Sequence, residues 1–356
     1  MYNTYMNRSV SMIALACVAL LLIAGAVFYF GKDEQVYVQD ASVASVSKQD
    51  AIPEILFVGD IMLDRGVALH AKKYGVETLF QGVKDLLASS DVVIGNLEGS
   101  ITNFESKSQK DTSLLQFTFD PSYARLLRSH NVALVSLANN HAFDYGSEGY
   151  AQTFEHLTKV GILPFGSPRN DKSTLALLRL KDKDFCFFGY HDLFSSDQTG
   201  TVARITDTTD CSYKIVFAHW GEEYKVQEND RQKKLAHEFI DAGADLVIGA
   251  HPHVVQPIEI YKGKAIFYSL GNFIFDQNFS FETTHGLAVR VSFLEDKTEF
   301  ELIPIFIDRD EVKIANDAAP TRVVQLLTTV EANEESTITA IEDSIRTKKS
   351  FLLSNQ

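Results

Sequence analysis

From Ile52 onward, the chain alternates short apolar runs with amphipathic stretches. Several apolar runs are continuous and rich in β-branched residues, as expected for strands that are buried on both faces. The predicted strands cover residues 54–58, 91–94, 132–137, 184–189, 214–218, 245–249 and 264–269. Two further pairs of runs, 175–180 with 184–188 and 287–294 with 301–307, predict antiparallel hairpins.

Helical periodicity separates the predicted strands. Asp120 and Pro121 supply a helix start, and Gly243 ends another helix. The predicted helices cover residues 122–129, 147–160 and 228–242. This alternation predicts an α/β sandwich with mainly parallel central strands and added antiparallel hairpins. The folded domain is expected to span residues 53–310.

The segment from residue 311 to 356 has a different pattern. Residues 322–331 and 337–346 are amphipathic with a helical period and carry no candidate chemistry. They predict a C-terminal helical appendage that packs on the outside of the domain or projects from it.

The first thirty residues are the least charged part of the chain. Residues 10–30 form an uncharged run of 21 residues, long enough as a helix to span about 30 Å of bilayer core. A signal-peptidase site at Ala24-Gly25-Ala26 and a lipoprotein site at Cys17 are the alternatives to a retained anchor. Arg8 before the run favours a cytoplasmic N-terminus at residues 1–9. We expect a single-pass signal anchor in the cytoplasmic membrane, a flexible tether at residues 31–52 and an extracytoplasmic domain.

Composition narrows the possible partners. The 356 residues carry 33 Lys and Arg against 47 Asp and Glu, a formal net charge of −14. An acidic chain without a Lys- or Arg-rich run argues against nucleic-acid binding, because phosphate affinity depends on clustered positive charge. Beyond Cys17, the cysteines are Cys186 and Cys211, both in apolar segments, where buried free thiols are the favoured interpretation.

Metal-binding residue types follow six of the predicted strands. Open α/β sheets place their binding sites at the carboxyl ends of strands. The six strand ends carry Gly59-Asp60, Asn96-Leu97-Glu98, Asn139-Asn140-His141, His219-Trp220-Gly221-Glu222-Glu223, His251-Pro252-His253 and Ser269-Leu270-Gly271-Asn272. Imidazole, carboxylate and amide ligands together suit a pair of divalent cations, which would activate a water and clamp a leaving oxygen. His191-Asp192, after a further strand, fits pocket lining and structural packing equally well.

The ordered motifs GDIM, GNLEG, ANNHAFDYG, HWG, GAHPHV and YSLGNF closely resemble the bacterial capsule synthesis CapA family, which is associated with poly-γ-glutamate production. The resemblance covers about residues 54–307. It implies the four-layer α/β/β/α sandwich of the calcineurin-like metallophosphoesterases, in a membrane-anchored member that faces outward.

The resemblance also implies a role for individual residues. The metal ligands would be Asp60, a bridging Glu98, Asn140, His219, His251 and His253, with His141 as proton donor and Arg65 and Asn272 on the substrate side. One departure concerns the first strand, where phosphoesterases of this fold have Asp-x-His and this chain has Met62. Either Asp64 replaces the missing ligand or the two cations bind with unequal affinity. Glu98 in place of aspartate also lengthens the bridge.

The resemblance, together with these residues, implies a metal-dependent hydrolase of capsule biosynthesis and export, acting on a phosphoester or on an amide bond of the polymer. It would use one or two divalent cations, with Mn, Fe and Zn as candidates. Its expected partners are the cytoplasmic membrane, capsule synthase subunits and an anionic polymer or phosphoester substrate. The alternatives are a non-catalytic polymer-binding subunit of a synthase complex and a soluble cytoplasmic phosphatase.

Overall fold

The structure is a computed structural model that describes residues 36–38, 52–111, 113–170, 175–193, 197–315 and 350–354. The expected anchor at residues 10–30 and the two helices expected at 322–331 and 337–346 lie outside these ranges. Within them, no helix combines the length and the apolar character that crossing a bilayer requires.

Two large β-sheets form the centre of the described domain. The first has seven strands. In spatial order they are β1 (Val36–Val38), β8 (Leu175–Leu180), β9 (Lys183–His191), β10 (Tyr213–His219), β11 (Leu246–Ala250), β13 (Lys264–Phe267) and β12 (Ile258–Tyr261). The central strands β9, β10, β11 and β13 are parallel, as the sequence predicts.

The second sheet has nine strands, of which seven form a continuous path. In spatial order these are β17 (Glu311–Ile314), β16 (Lys297–Asp308), β15 (His285–Phe293), β2 (Glu54–Ile61), β3 (Val92–Leu97), β6 (Val132–Ser136) and β7 (Leu163–Phe165). In addition, β14 (Asn272–Ile274) pairs with β2, and β18 (Phe351–Ser354) pairs with β16. A short ladder joins β4 (Ser100–Ile101) and β5 (Thr118–Phe119).

Helices connect the strands. They are α1 (Arg65–Tyr74), α2 (Lys84–Ala88), α3 (Ser122–Ser129), α4 (Gly146–Lys159), α5 (Thr199–Asp207), α6 (Asp230–Asp241) and α7 (Phe281–Thr284), with a 3-10 turn at Val76–Leu79. In α6, the Asn229 side chain accepts a hydrogen bond from the Gln232 backbone N–H and the Gln232 side chain caps Asn229 in return. This reciprocal cap explains why the helix begins at Asp230.

Three hydrophobic cores set the order of the layers. Successive side chains of β2 point to opposite faces, so that Ile55 and Phe57 join a core shared by the two sheets. Leu56 and Val58 pack instead with helix residues such as Leu157 of α4. A third core packs the outer face of the first sheet against α5 and α6. The layers therefore run helix, sheet, sheet, helix, and the mixed α/β architecture predicted from the sequence is confirmed.

The chain ends and the cysteines differ from expectation. Val36–Val38, within the segment expected to be a tether, pairs with β8 as a parallel strand. Glu311–Ile314 and Phe351–Ser354, both in the segment expected to be helical, are strands added to β16. Pairing with a sheet edge satisfies backbone groups that a separate appendage would leave to water. Cys186 and Cys211 form a disulfide with a Cα–Cα distance of 5.9 Å, so the expectation of free thiols is wrong.

Candidate metal centre

The predicted ligands lie where parallel strands of both sheets end. Asp60 lies near the end of β2, and Glu98 follows β3 directly. His219 is the last residue of β10, and His251 follows β11. Because the carboxyl ends of parallel strands meet at one edge of a sheet, these residues come together although they are far apart in sequence.

Two buried carboxylates form the floor of the site. Asp60 and Glu98 are both 0% exposed. The Asn96 amide donates to Asp60 Oδ1 at 2.8 Å and lies 3.3 Å from Glu98 Oε2. Glu98 Oε1 is 3.5 Å from His253 Nε2 and makes no hydrogen bond to any residue that the structure describes. Burial raises the pKa of Glu98 well above its usual value; the charge of His253 opposes this shift and that of Asp60 adds to it.

His219 already touches another predicted ligand. Its Nε2 lies 2.7 Å from Asn140 Oδ1, and its Nδ1 lies 3.3 Å from the Asn96 amide nitrogen. Burial, reinforced by the neighbouring His251, holds the pKa of His219 well below its usual value. The ring is therefore neutral at pH 7, which is the protonation state that binds a metal. The buried ring of His191, whose Nδ1 is 2.9 Å from the Pro168 carbonyl oxygen, lies 5.6 Å away between ring centroids.

His251 and His253 are presented by a strained turn. Their φ angles are +98° and +58°, in the region that favours glycine. His251 is 5% exposed, and its Nδ1 has no hydrogen-bond partner in the described part of the chain. Burial, together with His253, lowers the pKa of His251 to about 3. A neutral ring nitrogen without a partner inside a protein is suited to a cation.

His253 carries a charge instead. Its Nδ1 is 3.0 Å from Asn272 Oδ1 and 3.2 Å from Asp60 Oδ2. Burial alone would lower the pKa of His253, but the carboxylates of Glu98 and Asp60 outweigh burial and raise it to about 9. In this charged form both ring nitrogens carry a proton: Nδ1 faces two acceptors, and Nε2 faces Glu98. Loss of the Nε2 proton would leave Nδ1 protonated and make Nε2 the ligand atom.

The donor set fits divalent cations. Two groups of possible ligands have their donor atoms within 4.8 Å of one another: Asp60, Glu98 and His219 in one, and Glu223, His251 and His253 in the other. Carboxylate oxygens and neutral imidazoles are common ligands of zinc and related ions. Cations bound by these two groups would also give Glu98 Oε1 and His251 Nδ1 the partners that they lack among the described residues.

Two contributors, Asn96 and Glu223, were not among the predicted site residues. Both belong to the strand-end motifs GNLEG and HWGEE, beside residues that were selected. Asn96 also accepts a hydrogen bond from Asn139 Nδ2 at 3.0 Å, which holds its amide between the carboxylates and His219. Only the three-dimensional contacts distinguish these two residues from their neighbours in the motifs.

His141 lies beside the candidate ligands and pairs with an acid. Its Nδ1 is 2.8 Å from Asp144 Oδ2, and the same oxygen accepts the Phe117 backbone N–H at 2.7 Å. Its ring also packs on Phe117, with centroids 4.3 Å apart. A positive charge on His141 would lower the pKa of both His219 and His251, because the ring lies near both of them.

The two residues expected on the substrate side have other contacts. Arg65 forms an ion pair with Asp276, and its guanidinium lies 4.9 Å from the centre of the Phe117 ring. It therefore lies beside a ring that also contacts His141. Asn272 is buried against His253 and donates to the Thr283 carbonyl oxygen at 3.0 Å. Its observed contacts therefore orient the predicted metal ligand His253.

Asp64 does not replace the histidine ligand that is missing at position 62. Its carboxylate accepts hydrogen bonds from Ser106 Oγ at 2.8 Å and Gln109 Nε2 at 2.7 Å, among others. It caps α1 and belongs to neither group of possible ligands. Met62 is fully buried, with its sulfur 3.1 Å from the Asp64 backbone nitrogen. The first strand thus brings a single donor, Asp60, to the site.

Residues 54–277 match the family described as bacterial capsule synthesis protein PGA_cap. The PGA biosynthesis protein CapA of Bacillus subtilis (strain 168) is 33% identical over 277 residues, covering 72% of this chain and 72% of that protein. The capsule biosynthesis protein CapA of Bacillus anthracis is 29% identical over 295 residues, covering 76% and 72%. Among solved structures, TT1561 of Thermus thermophilus aligns at 12% identity with a TM-score of 0.36, over 67% of this chain and 94% of that one. With a family match over more than half its length, the chain belongs to the bacterial capsule synthesis protein PGA_cap family.

Proposed function

We propose that this protein is a divalent-metal-dependent hydrolase of poly-γ-glutamate capsule biosynthesis, with a metallophosphoesterase-type sandwich. The observation that carries the proposal is the pair of buried carboxylates, Asp60 and Glu98, surrounded by imidazoles. Such a cluster is costly to bury without a cation, and it leaves Glu98 Oε1 and His251 Nδ1 unsatisfied within the described residues.

Six residues proposed from the sequence would hold the cations: Asp60, Glu98, Asn140, His219, His251 and His253. Bound divalent ions supply Lewis-acid activation of water and of the bond to be cleaved. The Asn96 amide donates to both Asp60 and Glu98, and Asn272 orients His253. The identity of the ions is proposed to be Mn, Fe or Zn.

His141 would donate a proton to the leaving group. Its Nδ1 is held by Asp144, which leaves Nε2 as the atom available to a substrate. The side chain is 12% exposed, so it is accessible while the packing on Phe117 fixes its orientation. A general acid needs this combination of reach and fixed geometry.

The bond cleaved is proposed to be a phosphoester or an amide of the polymer. The two relatives are named for PGA and capsule biosynthesis, which favours an anionic polymer as substrate and capsule synthase subunits as partners. We further propose that residues 10–30 anchor the chain in the cytoplasmic membrane with the domain outside. The Cys186–Cys211 disulfide supports this location, because disulfides persist in oxidising compartments.

The test uses the full chain, purified in detergent, with bound metal measured by elemental analysis. Phosphoesters and γ-glutamyl polymer are then assayed for cleavage by the wild type, by His251→Ala and by the control His156→Ala. His156 lies in the last turn of α4 and belongs to neither group of possible ligands. We expect stoichiometric metal and turnover that falls at least about a hundredfold in His251→Ala and is unchanged in the control. Polymer binding without His251-dependent turnover would favour the non-catalytic subunit. Absence of both metal and turnover would refute the hydrolase.

A further inference from the structure

The solvent side of the metal centre carries a carboxylate that the strand-end pattern did not assign. Glu223 lies in the loop after β10, and its carboxylate is within 4.8 Å of ring nitrogens of His251 and His253. The other candidate group, formed by Asp60, Glu98 and His219, is entirely buried, whereas the Glu223 side chain is exposed. The two groups therefore differ in their access to solvent.

The backbone fixes the position of this loop. Gly221 adopts a φ of +81°, and a Cβ there would lie 2.7 Å from the Gln232 side chain, so the chain turns tightly after β10. The next contact joins the loop to the histidines: the Tyr224 backbone N–H donates to the carbonyl oxygen of Pro252 at 2.8 Å. Pro252 stands between His251 and His253, so the residue after Glu223 is tied to the turn that carries both imidazoles.

Further hydrogen bonds attach the loop after β10 to the residues that follow the two histidines. Gln256 Nε2 donates to the carbonyl oxygens of Lys225 at 2.9 Å and Gln227 at 3.1 Å. The Tyr224 ring lies 6.2 Å from that of His253, and the Tyr224 hydroxyl accepts from Gln277 Nε2 at 3.2 Å. The backbone on both sides of Glu223 is thus fixed relative to the two histidines, although the Glu223 side chain itself is exposed.

A second observation points to a ligand at this place. His251 Nδ1 is buried and has no hydrogen-bond partner among the described residues, although its neighbours include charged groups. The first strand supplies Asp60 alone, because the Met62 sulfur is turned into the core. Two imidazoles with one carboxylate and an open solvent side form a donor set that zinc and similar cations use in hydrolytic sites.

We propose that Glu223 is a metal ligand, which binds a divalent cation together with His251 and His253 on the solvent side of the centre. This inference rests on the metal centre of the proposed function. It predicts two cation positions that differ in exposure. Asp60, Glu98 and His219 would bind a buried ion, and Glu223, His251 and His253 would bind an outer ion that dissociates into solvent more readily.

The experiment titrates Mn²⁺ into the full chain after chelator treatment and follows free Mn²⁺ by electron paramagnetic resonance. In Glu223→Gln we expect the weaker of the bound ions to lose at least about tenfold in affinity while the tighter ion is unchanged. Glu222→Gln is the matched control, since Glu222 is also exposed but belongs to neither ligand group. Glu223→Asp should fall between the wild type and Glu223→Gln, because it keeps the charge and shortens the reach.

The outcomes separate this inference from the proposed function. Wild-type protein that binds Mn²⁺, together with a Glu223→Gln variant of equal affinity for every bound ion, would overturn the assignment of Glu223. A wild type that binds no divalent ion would overturn the metal centre itself. Co²⁺ absorption spectra provide a second measurement, because loss of a carboxylate ligand changes the visible bands of the outer ion and the control variant leaves them unaltered.

Discussion

His253 shows how a neighbouring side chain selects the ligand atom of an imidazole. Its Nδ1 faces two acceptors, Asn272 Oδ1 at 3.0 Å and Asp60 Oδ2 at 3.2 Å. When a cation displaces the Nε2 proton, the proton on Nδ1 stays, and Nε2, which lies 3.5 Å from Glu98 Oε1, becomes the ligand atom. Asn272 is itself fixed by donating to Gln277 and Thr283. Partners of this kind set the tautomer and the orientation of a metal-binding histidine.

Replacing Asn272 by alanine should therefore weaken metal binding without removing a ligand. We expect Asn272→Ala to bind Mn²⁺ about 10–100-fold more weakly than the wild type, because His253 loses the acceptor that orients it. The measurement is competition with a fluorescent chelator. The control is Asn278→Ala, at an exposed asparagine whose amide donates to Asp310. Equal affinities of Asn272→Ala and the wild type would show that His253 needs no such support.

At the scale of elements, one crossing segment joins the two sheets beneath the site. The chain leaves the first sheet at the end of β13, Phe267, and enters the second at Asn272, the first residue of β14. This segment packs against strands that have glycine at the contact. A Cβ on Gly59 of β2 would lie 1.8 Å from the Gly271 carbonyl oxygen, and one on Gly249 of β11 would lie 1.9 Å from that of Tyr268. Adding a methyl group at either position requires backbone movement.

Gly249→Ala should consequently destabilise the protein and disturb the centre. We expect a loss of about 2–3 kcal/mol in the free energy of unfolding, since the added Cβ overpacks against backbone. Urea denaturation measures the loss. Gly200→Ala is the control: Gly200 lies in α5, a Cβ there has no atom within 4 Å, and alanine should stabilise the helix by up to about 1 kcal/mol. A Gly249→Ala variant as stable as the wild type would contradict the close packing.

The elements and the strand-end residues followed from local pattern, because a buried parallel strand is a continuous apolar run that ends at its functional edge. The hydrogen-bond partners of the site residues depend on contacts between distant parts of the chain, and the local pattern did not predict them. Asn272 looks like a substrate group in sequence, yet it contacts His253, and Asp64 looks like a ligand, yet Ser106 and Gln109 occupy its oxygens. The edge strands β1, β17 and β18 were missed because short strands with little apolar periodicity form through pairing with a sheet that already exists.

At the scale of the whole molecule, folding brings together charges that an unfolded chain keeps in water. Each sheet contributes part of the cluster, with Asp60 and Glu98 from one and the three histidines from the other. The pKa of His251 falls to about 3 on folding, whereas that of His253 rises to about 9. The metal-free protein should therefore be sensitive to both acid and alkali, because protons bind differently in the folded and unfolded states.

The acid side of this dependence can be assigned to His251. Its folded pKa lies below the unfolded value of 6.5, so its neutral form stabilises the fold above pH 6.5, and this contribution is lost as the pH falls from 6.5 toward 3. Glu98, whose pKa shifts upward, offsets part of the loss, and comparison with a variant isolates the contribution of His251.

In EDTA, the free energy of unfolding of the wild type should therefore fall more steeply than that of His251→Gln between pH 6.5 and 5. The difference in slope should rise toward about 1.4 kcal/mol per pH unit, the free-energy equivalent of one proton, as the pH approaches 5. Urea denaturation at each pH provides the two curves. Parallel curves for the wild type and His251→Gln would mean that His251 is accessible to protons in the folded state, contrary to its 5% exposure.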